Sequence, residues 1–395
     1  MKPFLITIAL FLSLVTLNGC YNNYEDKDDM TEIVVDKVIQ SSEHFKNAQM
    51  NPRCLEKDGK VRMVASRDWT SGFYPGCLWY AYELSDDNEL KKAAIAHTVL
   101  LENEKNNHTT HDMGFKLYCS YGNGYRLTKN EEFRQVLLEG AKTLSSRFNK
   151  TTGCIRSWDH HKSQWEFPVI IDNMMNLELL FWAFTQTHDS TYYKIAVSHA
   201  DHTLKNHFRP DYSSYHVVDY DTLTGKVIKR TTHQGYSDSS AWARGQAWGL
   251  YGFTMAYRFT KDVRYLQQAE HIAKFILNNK NLPEDKIPYW DFDAPKIPNE
   301  PRDASAAAII SSALFELSEY APEKAAYYHK SASQILSSLY KHYLTSDTPP
   351  EGYFLLKHST GNLPAGSEID VPIIYADYYF LEAIVRDKVI RSLIN

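Results

Sequence analysis

About twelve stretches of the chain carry apolar residues at helical spacing, and many are joined by breaks too short to hold more than a turn. They lie near 31–48, 71–85, 88–105, 112–127, 131–148, 173–188, 190–207, 239–259, 261–280, 303–320, 323–343 and 372–390. The breaks Ser85-Asp-Asp-Asn88, Thr128-Lys-Asn-Glu131, Thr187-His-Asp-Ser190 and Thr260-Lys-Asp262 are polar and each leads straight into another helix. Links this short force consecutive helices to run antiparallel. Longer links at 149–171, 209–238, 281–302 and 344–371 alternate with them. The expected fold is therefore all-α, with helical hairpins closed into an (α/α)6 barrel. An open helical solenoid is the alternative, because hairpin arrays share the same local pattern. No Pro/Gly-rich linker divides the chain, so residues 31–395 read as one domain. Within the longer links, Tyr215-His-Val-Val-Asp-Tyr220 followed by Asp221-Thr-Leu-Thr-Gly-Lys226 is expected to form a short β-hairpin.

The start of the chain reads as a targeting segment, residues 1–20. Lys2 precedes an apolar run from Phe4 to Leu17 that is short for a membrane span. The run ends Leu17-Asn-Gly-Cys20, which resembles a bacterial lipobox. Cys20 would then be lipidated, with residues 21–30 as a polar tether; a plain cleaved signal peptide is the alternative. This implies a periplasmic or cell-surface protein of a Gram-negative bacterium, touching membrane only through its lipid. Net charge is −5 with no basic cluster, which argues against nucleic acid as a partner. A monomer or weak dimer is expected. Cys54, Cys77, Cys119 and Cys154 match no zinc spacing and are expected to be free, buried thiols. The sixteen His residues are scattered without a ligand motif, so no metal and no cofactor are expected.

Candidate chemistry concentrates in Thr232-His-Gln-Gly-Tyr-Ser-Asp-Ser-Ser-Ala-Trp-Ala-Arg-Gly-Gln-Ala-Trp-Gly-Leu-Tyr-Gly252. It reads as a polar loop and then a helix entry, with Ser239 or Ser240 as N-cap. Arg244 and Trp248 share one helix face, and Trp242 and Gln246 share another. A cation, indoles and an amide at a helix mouth suit an anionic, ring-shaped ligand; the alternative is an aromatic core helix with Arg244 in a structural salt bridge. Two carboxylates stand at loop-to-helix junctions, Asp112 and Asp172. Each suits an N-cap. Yet Asp172 follows three apolar residues and precedes two Met, so burial and a neighbouring Asp112 would raise its pKa. A carboxyl kept protonated near neutrality can donate a proton.

Five motifs fall in order along the chain: Trp69-Thr-Ser-Gly-Phe-Tyr-Pro-Gly-Cys-Leu-Trp79, His111-Asp-Met-Gly-Phe115, Asp172-Asn-Met-Met-Asn176, Trp242-Ala-Arg-Gly-Gln-Ala-Trp248 and Glu368-Ile-Asp-Val-Pro-Ile-Ile-Tyr-Ala-Asp-Tyr-Tyr-Phe-Leu-Glu382. Together they resemble the unsaturated glucuronyl hydrolases, glycoside hydrolase family 88. The resemblance implies an (α/α)6 barrel without metal, acting on oligosaccharides that polysaccharide lyases leave with a terminal 4,5-unsaturated uronic acid. It implies hydration of the vinyl ether, a proton going to C4 and water to C5, followed by collapse of the hemiketal and loss of the remaining chain. Asp172 would be the general acid/base and Asp112 the second essential carboxylate. His111, His216, His233, Gln234, Arg244 and Trp248 would line the sugar pocket, with Trp69, Trp158 and Trp242 as aromatic walls.

Some residues read as structural beside them: Trp79, Trp182, Tyr251 and Phe253 as core, and His199, His202 and His207 as solvated. The chain departs from one family pattern. Where some members carry Ser-x-x-Ser-x-Lys to receive a sulfate, this chain has Ser359, Asn362 and Pro364; Lys357 or His358 would have to substitute. Two other functions fit the same barrel: an ordinary inverting or unsaturated rhamnogalacturonyl-type glycosidase, and a surface lipoprotein that captures glycans without cleaving them. The leading expectation is removal of unsaturated uronate from glycosaminoglycan oligosaccharides.

Overall fold

The computed structural model describes residues 17–394, with side chains described over 29–393. The first sixteen residues of the targeting segment and the Cys20 side chain lie outside the described residues. Twelve α-helices follow in order: α1 (Leu17–Phe45), α2 (Phe73–Ser85), α3 (Asn88–Val99), α4 (Asn123–Thr128), α5 (Glu131–Ser145), α6 (Asn173–Thr187), α7 (Ser190–Asn206), α8 (Ala243–Thr260), α9 (Val263–Leu277), α10 (Ala304–Tyr320), α11 (Ala325–Tyr343) and α12 (Ile374–Ile394). The helix expected over 112–127 is instead a π-helical stretch, Gly114–Gly122, running directly into α4. The first helix begins earlier than expected, so the residues read as a tether lie within α1.

α2, the π-helical stretch with α4, α6, α8, α10 and α12 pack each on the next, and α12 returns to α2. That closes an inner ring and excludes the open solenoid: the fold is an (α/α)6 barrel. α3, α5, α7, α9 and α11 pack outside the inner helix preceding each, and α1 lies outside α2. Composition assigns the layers. Every residue of α10 from Ala304 to Ser318 is buried, as a helix covered on all sides requires, whereas α5 and α9 keep a polar face.

One device makes four of the inner-to-outer turns. Ser85, Thr128, Thr187 and Thr260 each donate a hydroxyl hydrogen bond to the carbonyl four residues back. Each also accepts the backbone N–H two residues on, at Asp87, Asn130, Asp189 and Asp262. Those four residues N-cap the outer helix through their side chains. The residue between adopts a left-handed conformation, with φ of 57–59° at Asp86, Lys129, His188 and Lys261. The polar breaks are therefore a repeated C-cap and N-cap in three residues.

The strands all lie in links that enter inner helices, and so form a rim at one barrel end. β1 (Asn51–Leu55) pairs with β2 (Val61–Val64), and β3 (Phe148–Asn149) with β4 (Cys154–Ile155). β5 (Pro168–Ile170), β6 (Val217–Tyr220) and β7 (Val227–Thr231) form an antiparallel sheet in that order. β8 (Ser359–Asn362) pairs with β9 (Ser367–Val371). The expected hairpin is β6–β7, with 221–226 as the turn between its strands. His199 and His207 correct an expectation: both are buried, not solvated. His199 Nδ1 accepts the Ile155 N–H at 3.0 Å, and His207 Nε2 bonds the Val169 carbonyl at 3.0 Å. They tie β4 and β5 to α7, and burial holds both imidazoles neutral. His202 is half-buried against Gly153. Cys54, Cys77, Cys119 and Cys154 are free and buried, and Trp79, Trp182, Tyr251 and Phe253 are buried as expected.

Candidate active site

Because the inner helices start at the rim, the starts of the π-helical stretch, α6, α8 and α12 meet the rim links around one cavity of about 540 Å³. Asp172 stands at the start of α6, yet its side chain caps nothing. It enters the cavity while remaining 7% exposed. Among the described residues its Oδ2 has no hydrogen-bond partner, and the nearest imidazole nitrogen, His216 Nε2, is 3.7 Å away. Burial is the main reason the carboxyl is pushed up to about 7; the Arg244 cation opposes the shift and the Asp112 carboxylate adds to it. Asp172 thus holds the N-cap position of α6 without capping it, and its carboxyl, raised to about 7, is free to face the cavity.

Asp112 faces the same cavity from the link before the π-helical stretch. Thr110 Oγ1 donates to its Oδ2 at 2.5 Å, and His111 Nε2 lies 3.3 Å from its Oδ1. The Thr110 backbone bridges to Trp158, which joins this link to the one carrying β4 and β5. His111 is buried and its pKa is lowered chiefly by that burial.

Of the other expected residues, Trp69, His111, Trp158, His233, Gln234 and Arg244 also line the cavity. His216, Trp242 and Trp248 stand behind the lining, all buried. His216 Nδ1 accepts the N–H groups of His233 and Gln234 at 3.1 Å each, which fixes that turn and leaves Nε2 toward Asp172. Trp242 packs under the Arg244 guanidinium at 4.5 Å and beside His216. The Trp248 indole N–H has no closed hydrogen bond and weighs on Asp172.

Arg244 does something other than wait for a carboxylate. Nη1 donates to Asp303 Oδ2 at 2.9 Å and to the Thr360 carbonyl at 2.6 Å, and Nη2 donates to the Gly361 carbonyl at 2.5 Å. Only Nε lacks a partner. Asp303 is itself the N-cap of α10, so the pair ties α8, α10 and β8 together. The N-cap expected at Ser239 or Ser240 is also corrected. α8 starts at Ala243 after Trp242, because the 281–302 link supplies the acceptors: Ser240 Oγ bonds Asp291 and the Ala241 N–H bonds Asp293.

Ser359 is a further correction. It is fully buried in β8 and does not reach the cavity. Lys357 does not line the cavity either, and His358 is paired with Asp370 at 2.6 Å. The hairpin instead presents Asn362, Ala365 and Ser367. Sequence reasoning missed Arg53, Phe115, His160 and Tyr375 on the lining. Phe115 and Tyr375 lie inside motifs already singled out, but Arg53, in a short strand before α2, carried no signal. Its guanidinium is saturated by Glu368 and Asp68.

The Glycosyl Hydrolase Family 88 model matches residues 41–386. An unsaturated glucuronyl hydrolase of Formosa agariphila is 48% identical, over 97% of this chain and 98% of that protein. A crystal structure of an unsaturated glucuronyl hydrolase specific for heparin superposes with a TM-score of 0.90 at 49% identity, covering 93% of this chain and 98% of the other. A mutant unsaturated glucuronyl hydrolase from Streptococcus agalactiae, complexed with dGlcA-GalNAc6S, has a TM-score of 0.77 at 31% identity, covering 90% of each chain.

Proposed function

Since this chain belongs to glycosyl hydrolase family 88, we propose that it removes the terminal 4,5-unsaturated uronic acid from glycosaminoglycan oligosaccharides by hydrating the vinyl ether. The observation that carries this is Asp172: a buried carboxyl, raised to about 7 and with its Oδ2 unpartnered among the described residues, facing a cavity it shares with Asp112. Protonated Asp172 gives its proton to C4, which leaves positive charge shared between C5 and the ring oxygen. The carboxylate then takes a proton from water as the water oxygen bonds C5. The hemiketal opens by breaking the bond between C5 and the ring oxygen. C1 is left as a hemiacetal, which expels the remaining sugar as an alcohol. One group serves both proton steps, so the paired-carboxylate spacing of ordinary glycosidases is not required. Asp112, fixed by Thr110, is suited to accept sugar hydroxyls.

Heparin-type disaccharides rank first among substrates, supported by the 49% identity to the heparin-specific enzyme. We further propose that Cys20 carries a lipid, which would hold the barrel at a membrane of a Gram-negative bacterium facing the periplasm or the exterior, and that the protein acts as a monomer or weak dimer. The alkene of the substrate absorbs in the ultraviolet and hydration removes that absorbance. Wild type should abolish it with unsaturated disaccharides from heparin, chondroitin or hyaluronan, while Asp172→Asn should not. Unchanged absorbance with every unsaturated substrate would overturn the proposal.

A further inference from the structure

Depth in the cavity is graded. Asp172 lies at the bottom, the Asp112 side chain is 18% exposed, and His160 is exposed at the mouth. A sugar held between the two carboxylates therefore places its neighbour against His160. That neighbour meets a cluster of aromatic rings: His160 lies flat on Trp158 with centroids 5.2 Å apart, and His161 sits 4.6 Å from His160 and 5.6 Å from His233. Trp165 stands edge-on to both His161 and His233. Among the described residues none of these three imidazoles has a side-chain ion pair, and no group of His, Cys, Asp or Glu has metal-binding geometry.

The other charges near the mouth are already committed. Arg53 is paired with Glu368 and Asp68, Arg244 is held through both Nη atoms by Asp303 and two carbonyls, and His358 is paired with Asp370. Asp159, next to His160, is taken by Arg147 and Arg156. The uncommitted capacity for positive charge at the mouth is the imidazole cluster, with exposed Lys162 beside it.

Resting on the hydrolase reading above, we propose that His160 and His233, with His161 beside them, form a subsite for a sulfate ester on the sugar that leaves. Without ligand, burial and mutual repulsion lower the pKa of His160 and His233, while Asp112 and Asp159 pull His160 the other way. A sulfate keeps its charge at every working pH, so it favours the protonated rings and binds better as pH falls.

The test compares one unsaturated uronate–glucosamine disaccharide, unsulfated, with the same compound sulfated on the amino group or on the primary hydroxyl. For wild type, the ratio of kcat/KM, sulfated over unsulfated, should rise at least about threefold between about pH 7.5 and about pH 5.5 for one of the two, the change lying in KM. His160→Gln and His161→Gln should each flatten that rise. A ratio independent of pH in wild type, or an equal rise in both variants, overturns the subsite and leaves the hydrolase intact. Hydration of none of the three compounds overturns the subsite, and if an unsaturated chondroitin disaccharide is also left unchanged it overturns the hydrolase reading itself.

Discussion

Asp172 is folded against its own solvation, and that has a measurable sign. Its ordinary pKa is 3.8 and its folded value is about 7. Between these values the folded chain holds a proton that the unfolded chain has lost. The stabilisation from this group is therefore complete below about pH 3.8 and is lost as pH rises to about 7. At pH 8 the charged carboxylate costs on the order of a few kcal/mol. Asp172→Asn should accordingly be more stable than wild type at pH 8 and nearly equal to it at pH 4, read from thermal melts across that range. The same variant should lose at least about 100-fold in hydration rate, and wild-type kcat/KM should fall on the alkaline side with a midpoint near 7. At this scale the sequence disclosed Asp172, because apolar neighbours on both sides announce burial. It offered an ion pair of Arg244 as the alternative reading, which the structure bears out, but not the partner, Asp303, 59 residues away. Nor did it disclose that His199 and His207 are buried, since their acceptor and donor partners are backbone groups of another link.

The elements explain why the site is at one end. Six inner segments begin at the rim, and the partial positive charge of helix N-termini favours an anionic ligand there. Their close approach depends on small residues. In mid-α8, Gly252 would place an added Cβ 2.4 Å from the Met174 Cβ of α6. Alanine would gain about 1 kcal/mol in helix propensity but lose more to overpacking, so Gly252→Ala should destabilise by about 1–2 kcal/mol. A urea titration measures it, and a stabilised variant would contradict the packing argument. Helix number, order and the short turns were legible because each turn is a self-contained three-residue device. The π-helical stretch was not. Gly114 packs on the Asn176 backbone, and the Phe115 N–H is drawn to Asn176 Oδ1 at 3.0 Å; both are contacts with the neighbouring inner helix α6 that no local pattern carries.

At the scale of the whole molecule the barrel has two unlike ends. Further along the same inner helices lies a second cavity of about 250 Å³, lined by Arg126, Arg258 and Arg386 with Glu178 and Glu382. Its charges largely neutralise one another: Arg386 Nη2 meets Glu316 at 2.9 Å, and Arg258 meets both Glu178 and Glu316. This end staples α6, α8, α10 and α12 and leaves the rim end for chemistry. The barrel class followed from alternating short and long links. Which long links converge did not, because convergence is a property of the closed ring. The anchoring proposal belongs here too: Cys20→Ser should move the protein from the membrane fraction to the soluble fraction without altering its specific activity. Retention in the membrane fraction would contradict lipidation at that residue.

Proton delivery to C4 by Asp172 can be followed by running the reaction in deuterium oxide. Wild type should place one deuterium at C4 of the released uronate, with loss of the alkene, and Asp172→Asn should place none. Release of a sugar that still carries its alkene and has no deuterium at C4 would mean cleavage at the glycosidic bond, and would contradict the account.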